Sequence, residues 1–406
     1  MPFVALVYYA SHLLSLLGNG IASVALPLIV LQTTGSPLGM SALAVATAVP
    51  SVLVGFLGGV IIDRINRRTA SVVSDVISAA AIAALPVMDM LWGLDLVWFI
   101  LLGILGAFGD VPGITAREVL APMVARHTGI DLRRVVALRQ ALTSVALVIG
   151  PAAAGVLLAT VDSMSVLWIT AATSTLAAVL TRTLPRSLGE VDSSRGARRP
   201  LRRELVDGLV VVGRSRFLLG TIFLVLGLAV AIGGLQGVVM PVYFDLLARP
   251  DLLGLVLTAL AAGMLVGATI YRGIGARLSA RTWLSAGCIV ASVGFALMAS
   301  LLSPGLVFAG AVVLGLGHSV VGAVTGVLQV QHTPGALLGR VLSVKTSLLM
   351  VAAPAGIGLA GVLAELGSPL LAAVGVTGVW ILVLLTVIAS RALRDLESKE
   401  MPDAQQ

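Results

Sequence analysis

The chain has 406 residues, of which 58% are hydrophobic and only 11% charged, with a formal net charge of +7. Soluble domains carry about 25% charged residues, so this composition excludes a soluble globular protein. Its basic surplus, which in a soluble chain would point to nucleic acid, is spent on the edges of membrane spans.

Twelve apolar stretches follow one another, at about 3–31, 38–62, 70–88, 96–116, 140–161, 164–181, 217–244, 252–271, 282–303, 305–331, 346–364 and 369–390. A helix crosses the hydrocarbon core with about 20 apolar residues, so each stretch predicts one transmembrane helix. The first is too long for a signal peptide and is expected to stay as a helix. Only Asp75 and Asp110 are charged inside the twelve. Numbering the gaps alternately places every Lys and Arg except Arg249 on one side. Lys/Arg-rich loops face the cytoplasm. The expectation is a multi-pass protein of the plasma membrane with both termini cytoplasmic. The marked preference for Arg over Lys, with only Lys345 and Lys399 present, points to a GC-rich bacterial genome.

The least apolar region, 182–216, falls between the sixth and seventh stretches and divides the chain into six plus six. The expected organisation is an N-terminal bundle over 1–184, a cytoplasmic linker over 185–214, and a C-terminal bundle with a short cytoplasmic tail over 215–406. Pro200 suits a helix N1 position. Leu201, Leu205, Leu209 and Val212 repeat on one face, opposite Arg202, Arg203, Glu204 and Asp207, which predicts a short amphipathic helix on the cytoplasmic membrane surface. Its arginines can meet anionic lipid head groups.

The halves echo each other, as parallel repeats of a transporter do. Gly59-Val-Ile-Ile-Asp63-Arg64 follows the second stretch and Gly267-Ala-Thr-Ile-Tyr271-Arg272 the eighth. Gly150-Pro151-Ala-Ala-Ala-Gly155 lies in the fifth and Ala353-Pro354-Ala-Gly356 in the eleventh.

Three motifs carry a family resemblance. The run GGVIIDRINRR (58–68) has two glycines that permit close helix approach, then Asp63, placed to cap a helix or pair with Arg at the membrane edge. It resembles the signature cytoplasmic loop of the major facilitator superfamily. The resemblance implies a conformational latch at Asp63, Arg64 and Arg68, with Asp75 and Arg139 in the same charged group. Asn66 stands where the family has Gly, a tolerable change because Asn also accepts left-handed geometry. The run ALRQALTSVALVIGPAAAG (137–155) is similar to the fifth-helix motif of the superfamily's exporters; Pro151 bends the helix while Gly150 and Gly155 leave a smooth packing face. Asp110-Val-Pro112 through Glu118, the stretch 121–140 and its counterpart 327–344 look like the branch of macrolide-efflux proteins and the enterobactin exporter. The resemblance covers nearly the whole chain. It implies an all-α polytopic membrane protein, twelve transmembrane helices in two pseudo-symmetric six-helix bundles, that exports an amphipathic small molecule such as a drug, macrolide-like compound, siderophore or secondary metabolite against protons by alternating access. One fold serves many cargoes, so it does not name the cargo.

Candidates for the proton and cargo site are Asp110, His12, Asn19 and Arg117. A mid-membrane Asp costs about 2.5–3.5 kcal/mol on insertion scales, so Asp110 either carries a proton or pairs with Arg117 or Arg139. Both readings stay open. Asp75 is expected in a charge cluster with Arg67 and Arg139. Asn19, in Gly18-Asn19-Gly20, replaces an acid that relatives often carry, and His12 or His318 could titrate instead. Trp92 and Trp98 fit the interfacial belt.

No G-x-x-x-x-G-K-[ST] loop is present, which excludes an ATP motor within this chain. No H-E-x-x-H, paired His or Ser elbow appears, so the chain is read as a non-enzyme without cofactor or metal. Cys288 is the only cysteine and can form no disulfide within the chain. The expected partners are a small-molecule substrate, protons and the bilayer, with no nucleic acid, in a monomer. Two rivals remain. An uptake symporter of the same fold is disfavoured by the exporter-type proline motif, and a non-transporting scaffold or sensor is kept open by Asn19 and the weakened Tyr271-Arg272 repeat.

Overall fold

The computed structural model describes residues 2–62, 65–190, 212–213, 215–333 and 335–390. Twelve membrane-length apolar helices account for nearly all of them, with no strand among the described residues. Span one is Pro2–Thr34, two Pro37–Ile62, three Arg67–Trp92, four Leu96–Thr128, five Leu132–Thr160 and six Ser163–Thr183. Span seven is Arg216–Leu246, span eight Asp251–Ile274, nine Ala280–Ala299, ten Pro304–His332, eleven Gly335–Leu366 and twelve Pro369–Ala389. Each apolar stretch became one span. The amphipathic linker helix expected over 200–214 falls, apart from Val212 and Gly213, outside the described residues, as do Asp63, Arg64 and the tail 391–406.

Several helices run well past their apolar stretch. Span four continues from residue 116 to Thr128, where Gly129 ends it in a left-handed conformation with φ 73°. Span five begins at Leu132, eight residues ahead of the expected 140. Arg117, Arg139 and Lys345 are therefore helical residues and not loop cations. Starts are fixed by side-chain oxygens that accept from first-turn N–H groups, which a helix cannot satisfy internally. Asp95 accepts from Val97 and Trp98, Asp162 from Ser165, Ser303 from Leu306 and Ser368 from Leu371. At the exposed turn before span six, hydrogen bonds from Ser165 hold the Asp162 carboxyl below its ordinary range. Trp92 and Trp98 stack at 6.2 Å where spans three and four meet.

The chain forms two compact units. One holds spans one to six together with residues 240–258, and the other holds the described residues of 197–239 and of 259 onward. In a bilayer, helices associate through close packing of small residues, and both units do so. In the first, Gly20 of span one lies against Gly150 of span five, and Gly155 and Pro151 lie against Gly254. The Thr258 hydroxyl donates to the Val148 carbonyl at 3.1 Å beside them. In the second, Gly233 of span seven packs on the Ala353 backbone and Gly356 on Val230, leaving no room for a methyl group at either glycine. Gly150 of the exporter-type motif thus forms the seam between spans one and five while Gly155 meets Gly254, and the motif's echo forms the seam between spans seven and eleven. Span seven widens into a π-turn at Leu235–Val239, a local feature frequent at functional sites. Trp380 of span twelve, fully buried, donates to Ser292 at 2.9 Å and sits 6.0 Å from Phe295.

Candidate functional site: a polar core in the first unit

Span one carries Tyr8, His12, Ser15 and Asn19 at helical spacing, which puts them on one face. Span three presents Ser71, Ser74, Asp75 and Ser78, all buried. Span four brings Asp110 and Arg117, two turns apart, to the same interior. Its Gly109 and Gly113 have no Cβ, and a methyl there would meet Ser74 and Ser78. Glycine on span four is therefore what lets the serine ladder of span three come close enough to bond.

Two acids share this core, in different states. Asp75 is ion-paired with Arg117. Ser15 donates to the same carboxylate at 3.1 Å and accepts from Arg117 Nη1 at 2.8 Å, closing a triangle across three spans. Tyr8 donates to the Arg117 backbone carbonyl at 2.9 Å. Asp75 and Arg117 are 4% and 3% exposed, so each is neutralised by the other and held by neutral hydrogen bonds as well. Asp110 has no cation partner among the described residues. Its carboxylate accepts from Ser78 Oγ at 2.6 Å and lies within hydrogen-bonding reach of the Asn19 side chain. The Ser78 hydroxyl also lies 3.1 Å from the Ser74 carbonyl, a second acceptor.

The pairing differs from the one expected. Asp75 was placed with Arg67 and Arg139; it pairs with Arg117, because the extended helix of span four carries Arg117 inward. Arg139 instead meets Glu118 at 3.2 Å. Arg67 is 3% exposed, and its Nε and Nη1 have no partner among the described residues. Asp110, expected to pair with Arg117 or Arg139 if it did not carry a proton, is bonded among the described residues to neutral groups only. His12 is buried, bonded to Thr143 Oγ1 at 3.2 Å and stacked on Tyr8. His318, in the second unit, has an Nδ1 without a partner among the described residues.

The loop motif is visible from Asn66 onward. Asn66 does not use left-handed freedom: its φ is −56°, and its side chain caps span three through the Thr69 N–H. It also donates to the Arg186 carbonyl at 3.0 Å, while Arg68 donates to the Arg182 carbonyl. These bonds tie the start of span three to the end of span six. Sequence reasoning overlooked Ser15, Ser78 and Glu118. The signal was available for Ser78, since Ser71, Ser74, Asp75 and Ser78 follow the i, i+3, i+4, i+7 spacing of one helix face.

Comparison with known proteins agrees with this architecture. The profile of the Major Facilitator Superfamily matches residues 8–250. The multidrug efflux pump Tap of Mycolicibacterium fortuitum is 31% identical over 356 residues, covering 86% of each chain. Macrolide efflux protein A of Streptococcus pyogenes is 24% identical over 372 residues, covering 88% of each. Among solved structures, a mutant form of the nucleoside transporter NupG superposes with a TM-score of 0.81 over 95% of this chain and 99% of that one, at 13% identity.

Proposed function

The chain belongs to the Major Facilitator Superfamily, and from that premise we propose that it is a proton-coupled exporter of amphipathic small molecules working by alternating access. The observation that carries the reading is Asp110, a membrane-embedded carboxylate bonded, among the described residues, only to neutral groups, next to a second acid whose charge is already cancelled. A carboxylate in that setting gains by taking a proton. Asp75 already has Arg117 as its counter-charge. Ser78 is suited to the exchange: as Asp110 becomes protonated, its hydroxyl turns from the carboxylate to the Ser74 carbonyl 3.1 Å away without losing a bond. Asn19, where relatives often have an acid, then positions Asp110 instead of competing for the proton.

The Arg-rich ends of the spans and both termini face the cytoplasm in this reading, with 185–214 as a tether on that surface and the chain acting as a monomer. The described part of the loop after span two belongs to a latch that includes Asp63, Arg64 and Arg68. Proton entry from outside supplies about 2.3 kcal/mol per 100 mV for each charge moved. The relatives named as efflux proteins, Tap and macrolide efflux protein A, support export over uptake.

Two measurements test the proposal together. In a Cys288→Ser background, cysteines introduced at 195 and 400 should label only from the cytoplasm, and one at 249 only from outside. Cells of a drug-sensitive strain carrying the protein should accumulate less ethidium than cells with empty vector, and a protonophore should remove the difference. Reversed labelling contradicts the orientation. Higher ethidium accumulation in cells carrying the protein contradicts export.

A further inference from the structure

The second unit contains a polar chain that the proton mechanism does not use. Thr221 of span seven donates to the Leu218 carbonyl at 3.0 Å, and Gln329 Nε2 of span ten donates to Thr221 Oγ1 at 3.3 Å. Lys345 Nζ of span eleven donates to Gln329 Oε1 at 3.0 Å. Thr221 and Gln329 are fully buried, and Lys345 is half-buried. The direction of every bond is fixed by the ammonium, which can only donate. Lysines near span ends usually extend toward water. This one turns inward to a neutral amide.

Among the described residues Lys345 has no carboxylate partner, and Gln329 is its one hydrogen-bond acceptor. Two of its three donors have no acceptor among the described residues. Thr333, at the end of the same span as Gln329, is 6% exposed and its Oγ1 also lacks a partner among the described residues. The repeat makes the contrast sharper. Spans four and five join through Glu118 and Arg139, an acid and a base. Their counterparts, spans ten and eleven, join through Gln329 and Lys345, an amide and a base, with no carboxylate beside Lys345 among the described residues. A partly buried cation is costly unless something pairs with it.

We propose that Lys345, held by Gln329 and Thr221, is a docking point for a single oxyanion, a carboxylate or phosphate, carried by the exporter's amphipathic cargo. A lysine ammonium, a compact point charge, suits one oxyanion better than a flat bidentate group. The assignment to cargo rests on the export reading above; the oxyanion chemistry itself does not.

The test uses purified protein in nanodiscs of zwitterionic phosphatidylcholine, with fluorescein as the anionic probe and ethidium as the cationic one. Wild type should bind both by fluorescence anisotropy, with inorganic phosphate weakening fluorescein alone. Lys345→Gln should lose roughly tenfold or more in fluorescein affinity, the scale of one charge-assisted hydrogen bond, and keep ethidium binding. Lys345→Arg should restore most of it. Adding phosphatidylglycerol to the nanodiscs separates the sources. If it leaves fluorescein binding unchanged, the oxyanion belongs to the cargo. If it displaces fluorescein in wild type but has no such effect in Lys345→Gln, the site takes a lipid phosphate and the cargo assignment is overturned. Fluorescein binding unaffected by Lys345→Gln, or ethidium binding lost in parallel, overturns the site. Ethidium efflux in cells is read separately. Efflux without Lys345-dependent anion binding leaves the export reading standing and sinks this one, and the converse result does the opposite.

Discussion

Asp110→Asn should abolish efflux driven by a pH gradient while sparing cargo binding and downhill exchange. The substituted amide keeps the volume and an oxygen for Ser78 to bond, so the local hydrogen bonds at 2.6 Å and toward Asn19 can persist. What it removes is the ability to take and release a proton. Steps that need proton release stop, and steps that only exchange cargo across the protein continue. Everted vesicles loaded by an imposed pH gradient measure the first, and counterflow of labelled cargo measures the second. Because Asp110 pairs with no cation among the described residues, thermal stability should change little. A variant that unfolds at much lower temperature would show that the carboxylate is structural. Unchanged gradient-driven efflux would remove Asp110 from the coupling path and direct attention to His12.

Arg117→Gln should cause the largest loss of stability among the polar-core variants. It strands Asp75, 4% exposed, without its cation and leaves Ser15 bonded to an uncompensated charge. Removing one partner of a buried ion pair costs about 3–5 kcal/mol. Asp75→Asn should be comparably damaging, since it strands Arg117. The double variant Asp75→Asn/Arg117→Gln removes both charges and should recover much of the loss, because contacting residues couple by about 0.5–3 kcal/mol. Cys288, 5% exposed in span nine, provides the readout: a thiol-reactive dye reports when heating exposes it. Single variants that melt at the wild-type temperature, or a double variant worse than either single, would contradict the neutralised-pair account.

Much of the fold was legible because the bilayer imposes a length and a composition on every span. The positions where this failed share one cause. A charge in the sequence reads as the end of a span, yet Arg117, Arg139 and Lys345 all lie inside helices. Arg117 can do so because Asp75 and Ser15 meet it there, and those partners sit far away in sequence on other helices. The spacing of the serine face of span three was there to be read and was overlooked, and only the structure shows that Ser78 serves Asp110 while Asp75 serves Arg117. Asn66 shows the same limit at smaller scale. Its conformational tolerance was the natural explanation for a missing glycine, and its use is a cap on span three and a tie to the Arg186 carbonyl.

The central claim is that cargo leaves as protons enter through Asp110. Purified protein in proteoliposomes containing a pH-sensitive dye, with no imposed gradient, isolates it. Adding ethidium outside should drive protons the opposite way through molecules oriented to take it up, so the lumen should turn alkaline in wild type and stay unchanged with Asp110→Asn. Ethidium movement with no change in lumenal pH would contradict coupling, and acidification of the lumen would make the protein a symporter.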